Sequence, residues 1–308
     1  MALVVVRPGL FTTVQDRGRV GYRRFGVPVG GAFDSGAFDL ANALLGNDPG
    51  AAALELTLLG GSFRAEADLA IALAGAPLTA TVEPESGEAR PWSIPQAGTL
   101  RRGETLSLLG SRLGVRAYLA VRGGWRTPVV LGSRSTETPS RAGDRFEADP
   151  GTTSTRHPSP EVARVFGLWD DPDPTIRWVD GPDFEPDQSE LVGPYRVLDP
   201  SNRVGVRLEG ASIPVEGDPS RLSKPVGPGA IQVAGGRPII LGVAGGTIGG
   251  YPHVGHVISA DLDRVAQLRP GSEVRFERVT LPEARRVDAD RRQARTLWRT
   301  RLSIWAKV

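Results

Sequence analysis

Arg203-Val-Gly-Val-Arg-Leu-Glu-Gly210 echoes Arg19-Val-Gly-Tyr-Arg-Arg-Phe-Gly26, with the same Arg-Val-Gly start and the same closing glycine. Two further pairs follow in the same order: Ile71-Ala-Leu73 with Ile239-Ile-Leu241, and Leu100-Arg-Arg-Gly103 with Leu268-Arg-Pro-Gly271. Chance could give any one match, but a shared order points to a duplicated unit. The first copy is the longer, by about the length of the helix that Asp34 would cap, which runs through Phe38, Leu40 and Leu44 and ends at Gly46-Asn47-Asp48-Pro49.

Working outward, short apolar runs at 3–6, 53–59, 69–74, 106–109 and 117–121 are bounded by Gly, Pro and Asp, and similar runs return at 195–198, 204–208, 231–233 and 239–243. Many short strands with closely spaced turns indicate an all-β protein, here two β-barrel domains with a few short helices. The expected boundaries are a first barrel over 1–150 with a helical insertion near 34–45, a Pro-, Asp- and Ser-rich junction over 151–190, a second barrel over 191–281, and a C-terminal helix over 282–308. On that helix Ala294, Leu297, Trp298, Leu302 and Trp305 fall on one face, opposite Arg291, Arg292, Arg295 and Arg299.

The totals exclude several classes. A chain of 308 residues with 37 basic and 35 acidic side chains has no strong bias towards nucleic acid, and no basic stripe carries aromatic residues for base stacking. No apolar run approaches the roughly 20 residues of a membrane helix. There is no cysteine, which rules out disulfides, thiolate nucleophiles and Cys-bound zinc. With no leader pattern at the N-terminus, a cytoplasmic location is expected.

The stretch Leu241-Gly-Val-Ala-Gly-Gly-Thr-Ile-Gly-Gly-Tyr-Pro-His-Val-Gly-His256 concentrates glycines and two of the three histidines. Paired glycines admit backbone conformations and close approaches that a Cβ forbids. A phosphate cradle would need a helix starting at the glycines, and Tyr251-Pro252 followed by β-branched residues argues against one. In an extended strand, His253 and His256 would point to opposite faces, which disfavours a shared metal. His253 is either a proton-exchanging group or a histidine bonded at a strand edge. Ser201-Asn202-Arg203 and Gly132-Ser133-Arg-Ser-Thr136 each offer a guanidinium with neutral donors that could hold a carboxylate; either could equally be a turn that satisfies its own backbone.

Taken together, Gln15-Asp-Arg-Gly-Arg-Val-Gly-Tyr22, Asp34 with Asn42 and Gly46-Asn47, Leu54-Glu-Leu-Thr57, Tyr118-Leu-Ala-Val-Arg-Gly-Gly124, Ser201-Asn-Arg-Val-Gly205, Gly229-Ala-Ile-Gln232 and Gly249-Gly-Tyr-Pro252 resemble the KipA family. The family is also known as the C-type subunit of 5-oxoprolinase, as allophanate hydrolase subunit 2, or as the A/B part of the urea carboxylase carboxyltransferase domain. The resemblance implies two cyclophilin-like barrels and a KipI-like partner subunit. It also implies, in the 5-oxoprolinase form, a LamB/YcsF-like subunit and ATP-dependent opening of 5-oxoproline to glutamate. In the urea carboxylase form, carboxyl passes from carboxybiotin to urea. No cofactor is expected to be held by this chain alone; ATP or biotin would come through partner subunits.

This sequence departs from the family where chemistry is expected. Ala244-Gly245-Gly246 stands where Asp-Arg-Gln is usual, Ile248 replaces the second threonine, His253 replaces the lysine after Tyr-Pro, and the serine usual before Asp34 is lost. Two functions follow as expectations: a non-autonomous subunit acting on a small amide, or a non-catalytic, KipA-like regulatory partner of a KipI-like protein. The catalytic candidates are His253, Asn202 and Arg203, and the substrate-binding candidates are Gly249, Gly250, Tyr251, Asp34 and Ser133. With His253 in place of lysine, activity should respond to pH near about 6 to 7.

Overall fold

In the computed structural model, residues 1–168, 175–185, 190–214 and 222–306 are described. The chain divides into two compact units: Met1–Gly18, Gly30–Trp169 and Ala294–Val308 form one, and Arg19–Val29 with Asp170–Gln293 form the other. The first echo, Arg19 to Gly26, therefore belongs to the second unit although it lies near the N-terminus.

The first unit is built from two sheets over one core. One has the strand order Arg145–Glu147, Ala2–Arg7, Leu59–Ala65, Thr105–Gly110, Ala80–Glu83, Arg90–Trp92. The other runs Phe11–Gln15, Ala53–Thr57, Arg116–Val121, Leu69–Gly75, Gln96–Leu100. The strand Leu69–Gly75 shows how sequence sets the layers. Leu69, Ile71 and Leu73 point into the core shared by the sheets, and Ala70, Ala72 and Ala74 line the other face. Period-two alternation thus puts large side chains inward and leaves a flat alanine floor for a helix. Helix α1, Ser35–Leu44, packs on that floor through Phe38, Leu40 and Ala41. Asp34 caps it as the sequence predicts, accepting from Ala37 N at 2.9 Å, and left-handed Gly46 (φ 69°) follows its end.

The second unit is a closed seven-stranded barrel in the order Thr175–Asp180, His253–Val257, Ala230–Ala234, Arg237–Leu241, Gly205–Glu209, Tyr195–Val197, Glu273–Arg278. Closure leaves no unpaired edge. The stretch 151–190, read as a junction, contains the short helix α2, Pro160–Val165, and the barrel strand Thr175–Asp180; 169–174 and 186–189 lie outside the described residues. Helix α3, Leu262–Gln267, follows the glycine stretch and its strand. No described helix is long and apolar enough to cross a membrane.

Helix α4, Leu281–Trp305, is rotated from the face expected of it. Ala294, Trp298 and Leu302 of the expected face are buried or half-buried, but so are Ala284, Val287, Asp288, Arg291, Arg295, Arg299 and Ser303, whereas Leu297 is 49% and Trp305 41% exposed. Arg291 and Arg295 sit on the packing side because each finds acceptors there. Arg291 donates to Asp263 Oδ2 at 2.9 Å. Arg295 reaches Ser35 Oγ at 3.2 Å and the carbonyls of Val165 and Phe166 at 3.2 and 3.1 Å, closing the C-terminus of α2. Arg295→Ala should therefore cost about 2–3 kcal/mol of stability, read as a lowered urea midpoint, because it strips charged donors from two helix-end carbonyls. Arg292→Ala, on the exposed side of the same helix, should change the midpoint little.

Candidate active site

Val226-Gly227-Pro228-Gly229 turns from the small strand Lys224–Pro225 into the barrel strand Ala230–Ala234. Arg23 lies on one side of this turn, its guanidinium donating to the Val226 carbonyl. A Cβ on Gly227 would fall 2.7 Å from Arg23 Nη1, so the glycine leaves room for the guanidinium to rest directly on the backbone there. His256 lies on the other side, bonded to the Pro228 carbonyl, and a Cβ on left-handed Gly229 would come within 3.2 Å of its Nε2.

The two histidine rings face each other, with centroids 5.6 Å apart at 52°. This corrects the expectation that an extended strand separates them. The pairing of Ala230–Ala234 with His253–Val257 shifts register, with Ile231 opposite Gly255 and Gln232 opposite His253, so Val254 is an extra residue in a β-bulge. The bulge sits where Gly255 passes over Trp178; a Cβ there would lie 2.8 Å from the indole Cζ3. No cluster of three or more possible metal ligands occurs among the described residues.

Asp183 fixes the start of the same strand. Its Oδ2 accepts from His253 N at 2.8 Å, its own N–H donates to the His253 carbonyl at 3.1 Å, and its Oδ1 pairs with Lys224 Nζ at 3.1 Å. Lys224 pairs in turn with Gly249 across a two-stranded sheet. The result is a ring of polar groups: Arg23, the 226–229 turn, His256, His253, Asp183 and Lys224. Burial, reinforced by the charges of His253 and Arg23, lowers the His256 pKa from 6.5 to about 4, partly opposed by the Pro228 hydrogen bond. His256 is thus neutral at neutral pH, donating one ring N–H to Pro228 and presenting the other nitrogen as an acceptor.

That depressed pKa has a consequence for stability. The unfolded chain binds a proton at this position that the folded chain refuses between pH 6.5 and about 4, so stability is full above 6.5 and falls as the pH drops through that window. Lowering the pH from 7 to 5 should cost about 2 kcal/mol through this group alone. His256→Asn should flatten the pH dependence of the urea midpoint by that amount.

In the glycine stretch, Gly245 and Gly249 answer to close contacts rather than to conformation. None of Gly245, Gly246, Gly249 and Gly250 has left-handed backbone. A Cβ on Gly249 would fall 2.6 Å from Gln232 Nε2, and one on Gly245 2.9 Å from the Val204 carbonyl. The stretch leads into the strands Ile248–Gly249 and His253–Val257 and not into a helix, so it forms no phosphate cradle. Tyr251 is 55% exposed, and its carbonyl accepts from Gln232 Nε2 at 3.3 Å.

Asn202 and Arg203 lie against this stretch. The Arg203 carbonyl accepts from Ala244 N at 3.0 Å, and the Val204 carbonyl from Gly242 N at 2.9 Å. Arg203 is buried, at 4% exposure. The Asn202 Oδ1 accepts from Val204 N at 2.8 Å, closing the turn that holds Arg203. The structure thus brings 202–203, 244–251 and 253 together in the second unit.

Asp34 and Ser133 belong to the first unit and have structural partners. Asp34 is fully buried as the cap of α1. Ser133 donates to Asp16 Oδ1 at 2.6 Å, joined by Ser135 Oγ at 2.6 Å and the amides of Gly18 and Arg134 at 2.8 and 2.6 Å. Burial pushes the Asp16 carboxyl upward, but these four donors outweigh it and leave the pKa below 3.8. The Gly132–Thr136 cluster is thus a turn organised by an internal carboxylate. Sequence reasoning gave no role to Arg23, Asp183, Lys224 or the His256 ring, although Arg23 lies in the Arg19–Gly26 echo, His256 in the glycine stretch, and Lys224 is one of only two lysines.

The family model of the carboxyltransferase domain, subdomain A and B, matches residues 25–278, and the chain belongs to that family. It is 34% identical to the 5-oxoprolinase subunit designated C of Escherichia coli (strain K12), across 94% of this chain and 96% of that protein. It is 33% identical to the urea amidolyase of Lachancea kluyveri, across 93% of this chain but only 17% of that protein. The crystal structure of the K. lactis urea amidolyase superposes with a TM-score of 0.81 at 29% identity, covering 96% of this chain and 20% of that one.

Proposed function

We propose that this chain is a non-autonomous subunit of a 5-oxoprolinase-type amide hydrolase, working with a KipI-like and a LamB/YcsF-like subunit. The observation that carries this reading is the 34% identity to a 5-oxoprolinase subunit over 94% of this chain. ATP would be bound and hydrolysed in the partner subunits, since the glycine stretch here opens no helix. A related biotin-dependent carboxyl transfer would likewise bring its carboxylated biotin from a partner.

In this reading the ring of the second unit is the active site. His253 exchanges a proton with the amide. The amides of Gly250 and Tyr251 supply backbone donors to a developing oxyanion. Asn202 shapes the turn that sets Arg203 beside the glycine stretch, where Arg203 adds positive potential.

One observation favours a second reading. Ala244-Gly245-Gly246 contributes no ionisable side chain beside Arg203, as a binding module without catalysis would allow. Reconstitution separates the two. Glutamate formed from 5-oxoproline and ATP by this chain with both partners supports the enzyme reading. Stable capture of the KipI-like subunit with no turnover of 5-oxoproline or urea supports the regulatory one.

A further inference from the structure

We infer that Arg23 is the residue that receives a substrate carboxylate, so that the site selects an anionic cyclic amide over neutral urea. The inference rests on the proposed active site and adds its specificity. Arg23 comes from the segment Arg19–Val29, which folds into the second unit, and it lies outside the family match at 25–278.

Its guanidinium is half-buried, placed flat against Gly227, and anchored by one donor to the Val226 carbonyl. Among the described residues no carboxylate pairs with it. A guanidinium has five N–H donors in a fixed fork, so an anchor at one nitrogen leaves an edge for a bidentate carboxylate. The titratable group placed beside it across the turn is a histidine. His256 feels the Arg23 charge, and His253 faces His256 at 5.6 Å. The acid of the ring, Asp183, is already engaged by Lys224 and by the His253 amide. An anion entering here meets an oriented fork with no built-in competitor. Urea is neutral and gains nothing from it, whereas 5-oxoproline carries both a lactam and a carboxylate.

The test is titration calorimetry of the full chain with 5-oxoproline, with 2-pyrrolidinone (the same lactam without the carboxylate) and with urea. The wild type should bind 5-oxoproline roughly ten- to hundredfold more tightly than either neutral ligand. Arg23→Gln should abolish that preference, and Arg23→Lys should restore part of it, with thermal melts reporting that both variants fold. In the reconstituted complex, Arg23→Gln should raise KM for 5-oxoproline and leave kcat nearly unchanged. A preference that survives in Arg23→Gln, or a wild type that favours the neutral lactam, overturns the role of Arg23 and leaves the proposed function standing. Binding of none of the three ligands, by the full chain or within the complex, overturns both.

Discussion

Glu55→Leu should lower the stability of this protein by about 3–5 kcal/mol, more than any single apolar truncation on the surface. Glu55 is fully buried at the centre of a polar network in the first unit. Tyr118 Oη donates to Glu55 Oε2 at 2.6 Å, the Phe33 amide donates to the same oxygen at 3.0 Å, and Arg116 Nε lies 3.4 Å from Oε1. Tyr118 Oη in turn accepts from the Asp34 amide at 2.9 Å. Burial first, and then the charge of Glu55, push the Tyr118 phenol well above its usual pKa, which keeps it a proton donor. The carboxylate thus fixes the two residues that launch α1. Removing it strands a guanidinium that is 4% exposed, together with the Tyr118 hydroxyl and the Phe33 amide. Glu55→Leu combined with Arg116→Met should recover much of the loss, because a buried pair is costly mainly when halved. Urea midpoints of the two single variants and the double variant measure this; a single-variant loss below about 1 kcal/mol would contradict the network.

His253→Ala should lower turnover by the reconstituted complex by about 10²–10⁴-fold, the typical contribution of a positioned acid or base. The substitution is clean because the backbone of His253 is held independently of its ring. Asp183 receives the amide at 2.8 Å and donates to the carbonyl at 3.1 Å, and neither bond involves the imidazole. Melting temperature and capture of the KipI-like subunit should therefore be unchanged while the rate collapses. His256→Asn should cost less, because the neutral His256 ring orients its neighbour and is bonded to Pro228. A His253→Ala complex that turns over at the wild-type rate would falsify the catalytic role.

Much of the architecture was legible because it depends on local periodicity. The apolar run 69–74, bounded by turn residues, marked a strand, and Asp34 with Gly46 marked both ends of α1. The echo of Arg19 to Gly26 at Arg203 reads as internal duplication, but the earlier segment carries the short 3-10 helix Arg23–Phe25 and the later one the barrel strand Gly205–Glu209. The echo could not reveal that the earlier segment folds into the second unit, since chain exchange between units leaves no local trace. The bulge at Val254 was hidden for a related reason. It lies where Gly255 passes over Trp178, a contact between residues distant in sequence, and it brings the two histidine rings together. On α4 the arginines at 291 and 295 looked like a solvated face because their acceptors, Asp263 and the end of α2, are far along the chain. The candidate site was half readable: the glycines, His253 and Arg203 were visible as motifs, whereas Arg23, Lys224 and Asp183 join them through the fold.

The central claim is that this chain contributes an active site to an amide-hydrolysing complex and does not act alone. Its most direct test is the rate of ATP-dependent glutamate release from 5-oxoproline by the KipI-like and LamB/YcsF-like subunits, with and without this chain. The account predicts release only when all three are present. Equal release with this chain omitted, or none when it is supplied, would contradict it.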